Sequence, residues 1–364
     1  MTVRVGPNNQ TAVRHDRRRR FSRVTKAMLS LAAVCLSLVL AEIIVRLFVP
    51  VRNVGPSFTV HDPIYLRSLK KSFHCRRITP EFTMRLTTNS LGHRGPEPAI
   101  FPKGAVVFLG DSFTLGYGVT DGDEFPAQVD RRLADRFGAD RPQVINAGVG
   151  ATGNGRWVKF LRAEAAAYEP RYVVLQVTGN DFGDNWRERL FRLAADRTLI
   201  ELPVRPPGIT DTAQRIIESA PLLSDSYLVG LARQILPRGN HHWPSPLPAN
   251  PADTDHEQAA EPKMTWSPRQ LLTFSLIEES LSICQANKWP VLVLIVHLSG
   301  RDHDKLIQIC DRRDAPVITA PYKHEQPGLY YQIDGHWNRL GHQVVADLVA
   351  QHLSTDDRLT STLR

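Results

Sequence analysis

The stretch that decides the fold is AVVFLGDSFTLG, residues 105–116, in which five apolar residues run to a glycine and are followed by an acid and a serine. A short apolar run of this kind predicts a strand that is buried on both faces, as in a parallel sheet covered by helices. Ligands of such sheets bind beyond the carboxyl ends of the strands, where Asp111 and Ser112 fall. The stretch therefore indicates a catalytic turn, although a Gly-Asp-Ser tripeptide alone is more often an ordinary strand-to-helix turn.

Four further segments predict the other strands of the sheet, and helical periodicity separates them. The strands are expected at residues 143–146, 171–177, 291–296 and 316–319, and the helices at 156–168, 268–288 and 338–353. An alternating apolar pattern also predicts an extended stretch over residues 81–88. This alternation of strands and helices predicts an α/β fold with a doubly wound, mostly parallel sheet of five strands between two layers of helices.

The net charge of +8 belongs almost entirely to the N-terminal tail. Residues 1–26 contain eight lysine and arginine residues and one aspartate, which gives the tail +7 and leaves about +1 for the remaining chain. A basic face for nucleic acid is therefore not expected on the folded part, and we expect no nucleic-acid partner.

An apolar segment, residues 27–49, follows this tail and ends before Pro50. It is longer than the about 20 residues that a helix needs to cross a bilayer. The basic tail predicts an N-terminus in the cytoplasm and residues 51–364 outside, on a single-pass protein of a bacterial-type inner membrane. We favour this uncleaved signal anchor because the apolar character continues to Val49, and a signal peptide cleaved near Ala41 is the main alternative. The arginine run before the segment also resembles a twin-arginine export signal, and each alternative exports the folded part.

Cysteine and histidine usage gives no metal-ligand spacing, so we expect no metal. A disulfide between Cys284 and Cys310 is compatible with an exported domain. The pair His241 and His242 is expected to be a solvated part of a loop.

Polar residues follow three predicted strands at the edge where parallel strands end. Ser112 follows the first strand, a glycine-rich turn at residues 148–155 follows the second, and Gly-Asn-Asp at residues 179–181 follows the third. Further along, Asp334 and His336 come just before the last predicted helix. A histidine can take the proton of a serine hydroxyl, and a carboxylate on its other nitrogen fixes the tautomer and stabilises the imidazolium.

In this order the segments resemble the sequence blocks of the SGNH hydrolases, also called the GDSL esterase/lipase family. The resemblance spans roughly residues 105–353 and implies a three-layer α/β/α, flavodoxin-like fold. It implies that Ser112 is the nucleophile and that its own N–H lies in the oxyanion hole. The other oxyanion donors implied are the turn at Gly150 and Ala151 and the side-chain amide of Asn180.

The last block contains Asp334 and His336, which the resemblance implies are the acid and the base of a catalytic triad. The common form of the family separates these two residues by two positions, whereas here one residue separates them. This Asp-x-His-Trp form resembles polysaccharide O-acetyltransferases of the same superfamily. Asp111 and Asp181 are expected to support the neighbouring turns without reacting.

The combined pattern predicts an extracytoplasmic serine esterase that hydrolyses acyl, above all acetyl, esters on cell-envelope or exported carbohydrate, with no metal or organic cofactor. Two alternatives stay open. One is a polysaccharide O-acetyltransferase that uses the same triad, and the other is a non-catalytic carbohydrate-binding or assembly protein on the same scaffold. The expected partners are an acylated carbohydrate or other ester substrate, the membrane and polysaccharide-assembly proteins.

The expected organisation places the hydrolase domain behind a membrane anchor. It has a basic cytoplasmic tail at 1–26, a transmembrane helix at 27–49, a juxtamembrane linker with an extended segment at 50–100, the hydrolase domain at 101–355 with an insertion at 182–266, and a tail at 356–364. The insertion is expected either to lie beside the site as a cap or to be partly disordered. Its Trp186, Trp243 and Trp266 could stack on sugar rings, although core packing is the commoner role of each.

Overall fold

The computed structural model describes residues 9–98, 100–208, 212–213, 216–217, 220–235 and 266–361. Its first element is a long helix, α1 (Asn9–Phe48). The part Arg23–Phe48 is long and apolar enough, by length and composition, to cross a membrane. This helix covers the predicted apolar span and ends just before Pro50.

Four short strands lie between α1 and the central sheet and form two antiparallel hairpins. They are β1 (Thr59–Asp62), β2 (Leu66–Leu69), β3 (His74–Ile78) and β4 (Thr83–Thr87). The sequence indicated only the extended stretch that contains β4. Met84 and Leu86 of β4 are buried in one cluster with Leu115 and Val149, so the second hairpin packs against the helix that follows β5 and the turn that follows β6.

The remaining strands comprise the central sheet and one separate hairpin. They are β5 (Val106–Leu109), β6 (Val144–Asn146), β7 (Tyr172–Thr178), β8 (Phe191–Leu193), β9 (Leu199–Glu201), β10 (Val291–Val296) and β11 (Val317–Thr319). The sheet has the order β6-β5-β7-β10-β11 and all its strands are parallel, while β8 and β9 pair with each other. Counted along the chain, the order of the sheet is 2-1-3-4-5, which is the flavodoxin-like, doubly wound arrangement. The predicted fold class is confirmed.

Helices cover both faces of the sheet. After α1 they are α2 (Ser112–Leu115), α3 (Phe125–Phe137), α4 (Asn154–Ala163), α5 (Asp181–Glu188), α6 (Pro221–Ser224), α7 (Tyr227–Ile235), α8 (Pro268–Ala286), α9 (Gly300–Arg312), α10 (Arg339–Thr355) and α11 (Asp357–Thr360). One core contains apolar residues of α4, α8 and α9, and a second contains those of α3 and α10. Strands buried between two such layers read as continuous apolar runs, which is why the sequence located all five.

The strand order reverses between β5 and β7, because β6 lies on one side of β5 and the later strands lie on the other. Ligands of doubly wound sheets bind in the crevice at this point, beyond the carboxyl ends of the strands. Ser112 follows β5 and Asn180 follows β7, so both residues lie at the mouth of this crevice.

Helix α7, within the predicted insertion, packs against the end of α1. The carboxylate of Glu42 accepts hydrogen bonds from the backbone N–H groups of Tyr227 at 2.8 Å and Leu228 at 3.0 Å, at the first turn of α7. The guanidinium of Arg46 lies over the Tyr227 ring, 4.9 Å from its centroid. The apolar helix is therefore joined to the folded part by a direct contact as well as by the chain.

Cys284 and Cys310 are both buried free thiols, so the disulfide weighed from the sequence is not formed. Burial raises the pKa of each thiol to about 12. The predicted loop residues His241 and His242 lie outside the described residues.

Candidate active site

The serine turn is fixed by buried polar groups. Ser112 begins α2, and Asp111 is the N-cap whose Oδ1 accepts a backbone N–H of this helix at 2.9 Å. Oε1 of Gln176, which is buried on β7, accepts the N–H of Asp111 at 3.2 Å and the hydroxyl of Thr114 at 2.9 Å. A Cβ at Gly110 would lie 2.1 Å from Oγ1 of Thr114 and 2.5 Å from Oε1 of Gln176, so only glycine fits there. The turn thus holds Ser112 at the carboxyl end of β5.

His336 lies between Ser112 and Asp334. Its Nε2 is 2.7 Å from Oγ of Ser112, and its Nδ1 is 2.5 Å from Oδ1 of Asp334. A carboxylate at Nδ1 favours the tautomer that carries its proton there, which leaves Nε2 free to accept the serine proton. This arrangement can remove the hydroxyl proton of Ser112 as its oxygen attacks a carbonyl carbon.

The imidazole of His336 is held by aromatic rings yet remains open to solvent. Its centroid lies 4.9 Å from the ring of Phe113 and 5.1 Å from that of Tyr117. The adjacent Trp337 is buried and meets Phe113 edge-on at 4.7 Å. The side chains of His336 and Asp334 are 23% and 26% exposed, so water and substrate can reach the triad.

The glycine turn after β6 lies beside Ser112. A Cβ placed on Gly150 would be 3.6 Å from Cβ of Ser112. Ala151 follows with a left-handed backbone, φ 56°, a conformation that favours glycine. Among the described residues, no protein acceptor binds the backbone N–H groups of Ser112, Gly150 or Ala151. Unpaired N–H groups next to a nucleophile are the donors that a developing oxyanion requires.

The Asn180 side chain is engaged by two carboxylates. Its Nδ2 donates to Oδ2 of Asp111 at 3.1 Å and to Oδ2 of Asp184 at 2.8 Å. The sequence placed Asn180 near Ser112 but did not predict these acceptors. Burial raises the pKa of the Asp111 carboxyl.

Asp181 serves the turn itself, since its Oδ2 accepts the N–H of Thr178 at 3.0 Å and Nδ2 of Asn154 at 2.9 Å. Burial, together with the charge of Asp111, raises the pKa of Asp181 well above its usual range.

Arg94 is a supporting residue that the sequence did not identify. Its buried guanidinium donates to the carbonyl oxygens of Leu115 at 2.9 Å, Gly116 at 2.6 Å and Val119 at 2.7 Å, and it pairs with Asp121 at 3.1 Å. These contacts fix the chain as it leaves α2. An arginine in a glycine-rich turn gives no sequence signal of such partners, whereas Gln176, a single polar residue inside an apolar strand, does give one.

Two tryptophans of the predicted cap lie within the described residues, and both contact α8; the guanidinium of Arg269 lies 5.5 Å from the ring centroid of Trp186. Trp266 packs edge-on against Phe274 at 5.2 Å, and Trp186 is 39% exposed. Trp243 lies outside the described residues. In the part of the chain that the structure describes, no group of three or more His, Cys, Asp or Glu side chains is arranged to hold a metal.

The model of the GDSL-like Lipase/Acylhydrolase family matches residues 108–262, which confirms the family resemblance inferred from the sequence blocks. The match includes Ser112, Gly150 and Asn180 and ends before Asp334 and His336. No curated protein sequence matches the chain.

Several solved structures are similar to this chain. A lipolytic protein of the G-D-S-L family from Desulfitobacterium hafniense DCB-2 is 12% identical, with 68% of this chain and 99% of that chain covered and a TM-score of 0.36. A two-domain esterase active on acetylated mannans is 14% identical, with 70% of this chain and 50% of that chain covered and a TM-score of 0.37. The psychrotrophic esterase EstA from Pseudoalteromonas sp. is 13% identical, with 68% of this chain and 96% of that chain covered and a TM-score of 0.37.

Proposed function

We propose that this chain, which carries a GDSL-like lipase/acylhydrolase domain, is a serine esterase with Ser112 as nucleophile, His336 as general base and acid, and Asp334 as the residue that orients His336. The observation that carries the proposal is the line of contacts from Oγ of Ser112 through the imidazole to Asp334, at 2.7 and 2.5 Å. The reaction needs no metal or organic cofactor.

In the first half-reaction Oγ of Ser112 attacks the carbonyl carbon of an ester while Nε2 of His336 takes the hydroxyl proton. The carbonyl oxygen becomes an oxyanion, and Asp334 stabilises the imidazolium. His336 then gives its proton to the leaving alkoxide as the carbon–oxygen bond breaks. An alcohol departs and the acyl group stays on Ser112.

In the second half-reaction water attacks the acyl-serine as His336 takes a proton from the water. The tetrahedral intermediate collapses, the carboxylic acid leaves, and the proton returns to Oγ of Ser112. The exposure of the triad, 23% for His336 and 26% for Asp334, supports hydrolysis because water reaches this step directly.

The backbone N–H groups of Ser112 and of the Gly150–Ala151 turn are the proposed fixed oxyanion donors. Asn180 is the proposed third donor, and one of its N–H groups must turn from a carboxylate to the oxyanion. We assign this movement to the N–H on Asp111, because its 3.1 Å contact is longer than the 2.8 Å contact with Asp184.

The proposed substrate is an acetyl ester on a cell-envelope or exported carbohydrate, and the proposed location is the outer side of the cytoplasmic membrane. The apolar stretch Arg23–Phe48 behind a basic tail supports an anchored, exported enzyme. An alkaline phosphatase fusion after Arg52 should be active in a bacterial host, and a fusion at Arg20 should be inactive. The reverse pattern would contradict the topology.

A polysaccharide O-acetyltransferase with the same triad is the second candidate, and the Asp334-Gly335-His336-Trp337 spacing favours it. In that case a sugar hydroxyl replaces water in the second half-reaction. The non-catalytic alternative loses support, since a scaffold protein has no need of a serine, a histidine and an acid aligned at hydrogen-bond distances.

Acyl-chain and acceptor preference test the substrate proposal. The purified full chain should hydrolyse 4-nitrophenyl acetate faster than long-chain nitrophenyl esters, with free acetate as the main product even when a soluble oligosaccharide is added. Faster turnover of long chains would contradict a carbohydrate acetyl ester, and acetylated oligosaccharide as the main product would promote the transferase above the esterase.

A further inference from the structure

The loop that carries Asp334 is tied to the hairpin of β3 and β4 by one carboxylate, that of Glu81. Its Oε1 accepts the backbone N–H of Gln332 at 2.8 Å and that of Ile333 at 3.0 Å. Its Oε2 accepts the N–H of Ile333 at 3.0 Å and that of Asp334 at 2.7 Å. Three consecutive N–H groups, the last belonging to the proposed catalytic acid, thus converge on one side chain that is 251 to 253 residues away.

Glu81 is itself held in place. It lies in the turn between β3 and β4, where the N–H of Thr79 donates to the carbonyl of Phe82 at 2.9 Å and Oγ1 of Thr79 accepts the N–H groups of Glu81 and Phe82 at 3.3 and 3.0 Å. The Phe82 ring packs against Tyr331 at 4.7 Å, and the hydroxyl of Tyr331 donates to the carbonyl of Gly118 at 3.0 Å. The carboxylate is therefore presented from a fixed turn.

The carbonyl groups of the same loop have a cationic partner. Nζ of Lys323 donates to the backbone oxygens of Tyr331 at 3.0 Å and Gln332 at 2.9 Å. Lys323 binds the loop just before the three N–H groups, and the N–H of Tyr331 closes it by donating to the carbonyl of His336 at 2.9 Å. Removal of Glu81 would leave these contacts in place and free only the segment that bears Asp334.

We propose that Glu81 is a positioning residue of the catalytic triad, which acts through the backbone of Asp334 to keep Oδ1 of Asp334 on Nδ1 of His336. The 2.5 Å contact between these atoms depends on the placement of a partly exposed loop residue. Charge-assisted hydrogen bonds that backbone N–H groups donate to a carboxylate are among the stronger ones available for this task. The inference rests on the proposed triad and gives residues 74–87 a part in the site, whereas the sequence suggested a linker.

The test compares Glu81→Ala and Glu81→Gln with wild type in the full chain. Because misplacement by about 1 Å can cost about 10²-fold, we expect kcat for Glu81→Ala to fall by about ten- to hundredfold, with KM within about twofold of wild type. Glu81→Gln keeps an acceptor oxygen but loses the charge, so its kcat should lie between those of Glu81→Ala and wild type. Glu97→Ala is the matched control, since Glu97 also accepts a backbone N–H, that of Ser90 at 2.7 Å, in the same N-terminal part. It should keep the wild-type kcat.

Two measurements separate positioning from a general loss of structure. Titration with a fluorophosphonate counts the competent serines, so kcat is expressed per labelled site, and a fall in kcat at an unchanged labelled fraction supports positioning. In a double-mutant cycle, Glu81→Ala should cost far less in the Asp334→Asn background than in wild type, because the residue acts through Asp334.

Wild-type kcat per labelled site in Glu81→Ala would overturn the proposal and leave the esterase intact. The proposal would also be overturned if Glu81→Ala lowered kcat by the same factor in the wild-type and Asp334→Asn backgrounds. Absence of ester hydrolysis and of labelling in the wild type would overturn the proposed function, and the role of Glu81 with it.

Discussion

The side-chain amide of Asn180 donates a hydrogen bond to Oδ2 of Asp111, at 3.1 Å, across the crevice between the ends of β7 and β5. Asp111 in turn caps the helix that begins with Ser112. The residue proposed as the third oxyanion donor is thus linked to the serine turn before any substrate binds. In the proposed mechanism, this link restrains the amide until the oxyanion forms beside Ser112.

Removal of the Asn180 amide should reduce catalysis. An oxyanion donor of this kind contributes about 2.7–4 kcal/mol to the transition state, so Asn180→Ala should lower kcat by about 10²–10³-fold with little change in KM. Steady-state kinetics with 4-nitrophenyl acetate measure this. Asn287→Ala, at the exposed end of α8, is the control and should retain activity. An unchanged rate in Asn180→Ala would reduce Asn180 to a structural link.

Asp334→Asn should leave the fold intact and impair the rate. The asparagine amide favours an unprotonated Nδ1 on His336, which moves the proton to Nε2 and prevents that atom from accepting the proton of Ser112. We expect kcat to fall by about 10³–10⁴-fold, with an unchanged melting temperature. Asp123→Asn, which alters an exposed pair with Arg339, should keep wild-type activity. An activity of Asp334→Asn close to that of wild type would mean that another group orients His336.

Arg94 should be more important for stability than for chemistry. Arg94→Ala leaves the carbonyls of Leu115, Gly116 and Val119 without this donor, and it leaves the buried Glu124, 3.6 Å from the guanidinium, without its cation. Breaking a buried ion pair by removing one partner costs about 3–5 kcal/mol, which urea unfolding should detect.

The matched control for Arg94 is Arg85→Ala, because Arg85 is exposed on β4 and should change the free energy of unfolding by less than about 0.5 kcal/mol. Equal effects of the two substitutions would contradict a bracing role for Arg94.

His342 should make the protein less stable in acid. Nδ1 of this buried side chain accepts the N–H of Phe125 at 3.2 Å, and burial lowers the pKa of His342 to about 3. Since the unfolded value is about 6.5, the stabilisation is complete above that pH and is lost as the pH falls towards 3. Between pH 7.5 and 4.5 the loss from this group is about 2–3 kcal/mol.

Urea unfolding of His342→Asn at the two pH values isolates this effect, since Oδ1 of asparagine can replace the acceptor without titrating. The variant should lose less stability between pH 7.5 and 4.5 than wild type does. An identical pH dependence in the two proteins would show that His342 does not contribute to it.

The five strands of the sheet could be predicted from the sequence because burial on both faces leaves runs such as Val291–Val296 without polar interruption. The hairpin of β3 and β4 could be predicted only in part. Arg77 occupies an inward position of β3, where it is buried and donates to the carbonyl of Pro56 at 2.9 Å, and this breaks the apolar alternation by which a strand is recognised. A polar residue that faces inward is explained by a tertiary partner that no local pattern reveals.

At the site, too, local features could be predicted from the sequence, whereas tertiary contacts could not. Ser112 and His336 lie 224 residues apart, and only the resemblance to a family links them in the sequence. Asp334 and His336 are close along the chain, so their pairing was a local inference. Glu81 and Arg94 bind backbone groups of distant loops, and backbone N–H and C=O groups are present at every position, so nothing in the sequence marks which ones they bind.

The most direct test of the proposed catalytic serine is labelling of the full chain by a fluorophosphonate, followed by identification of the modified residue. Wild type should be labelled at Ser112, and Ser112→Ala should lose both labelling and hydrolysis of 4-nitrophenyl acetate. Ser282→Ala, on α8, should retain both. Labelling at another serine, or full esterase activity in Ser112→Ala, would contradict the proposed triad.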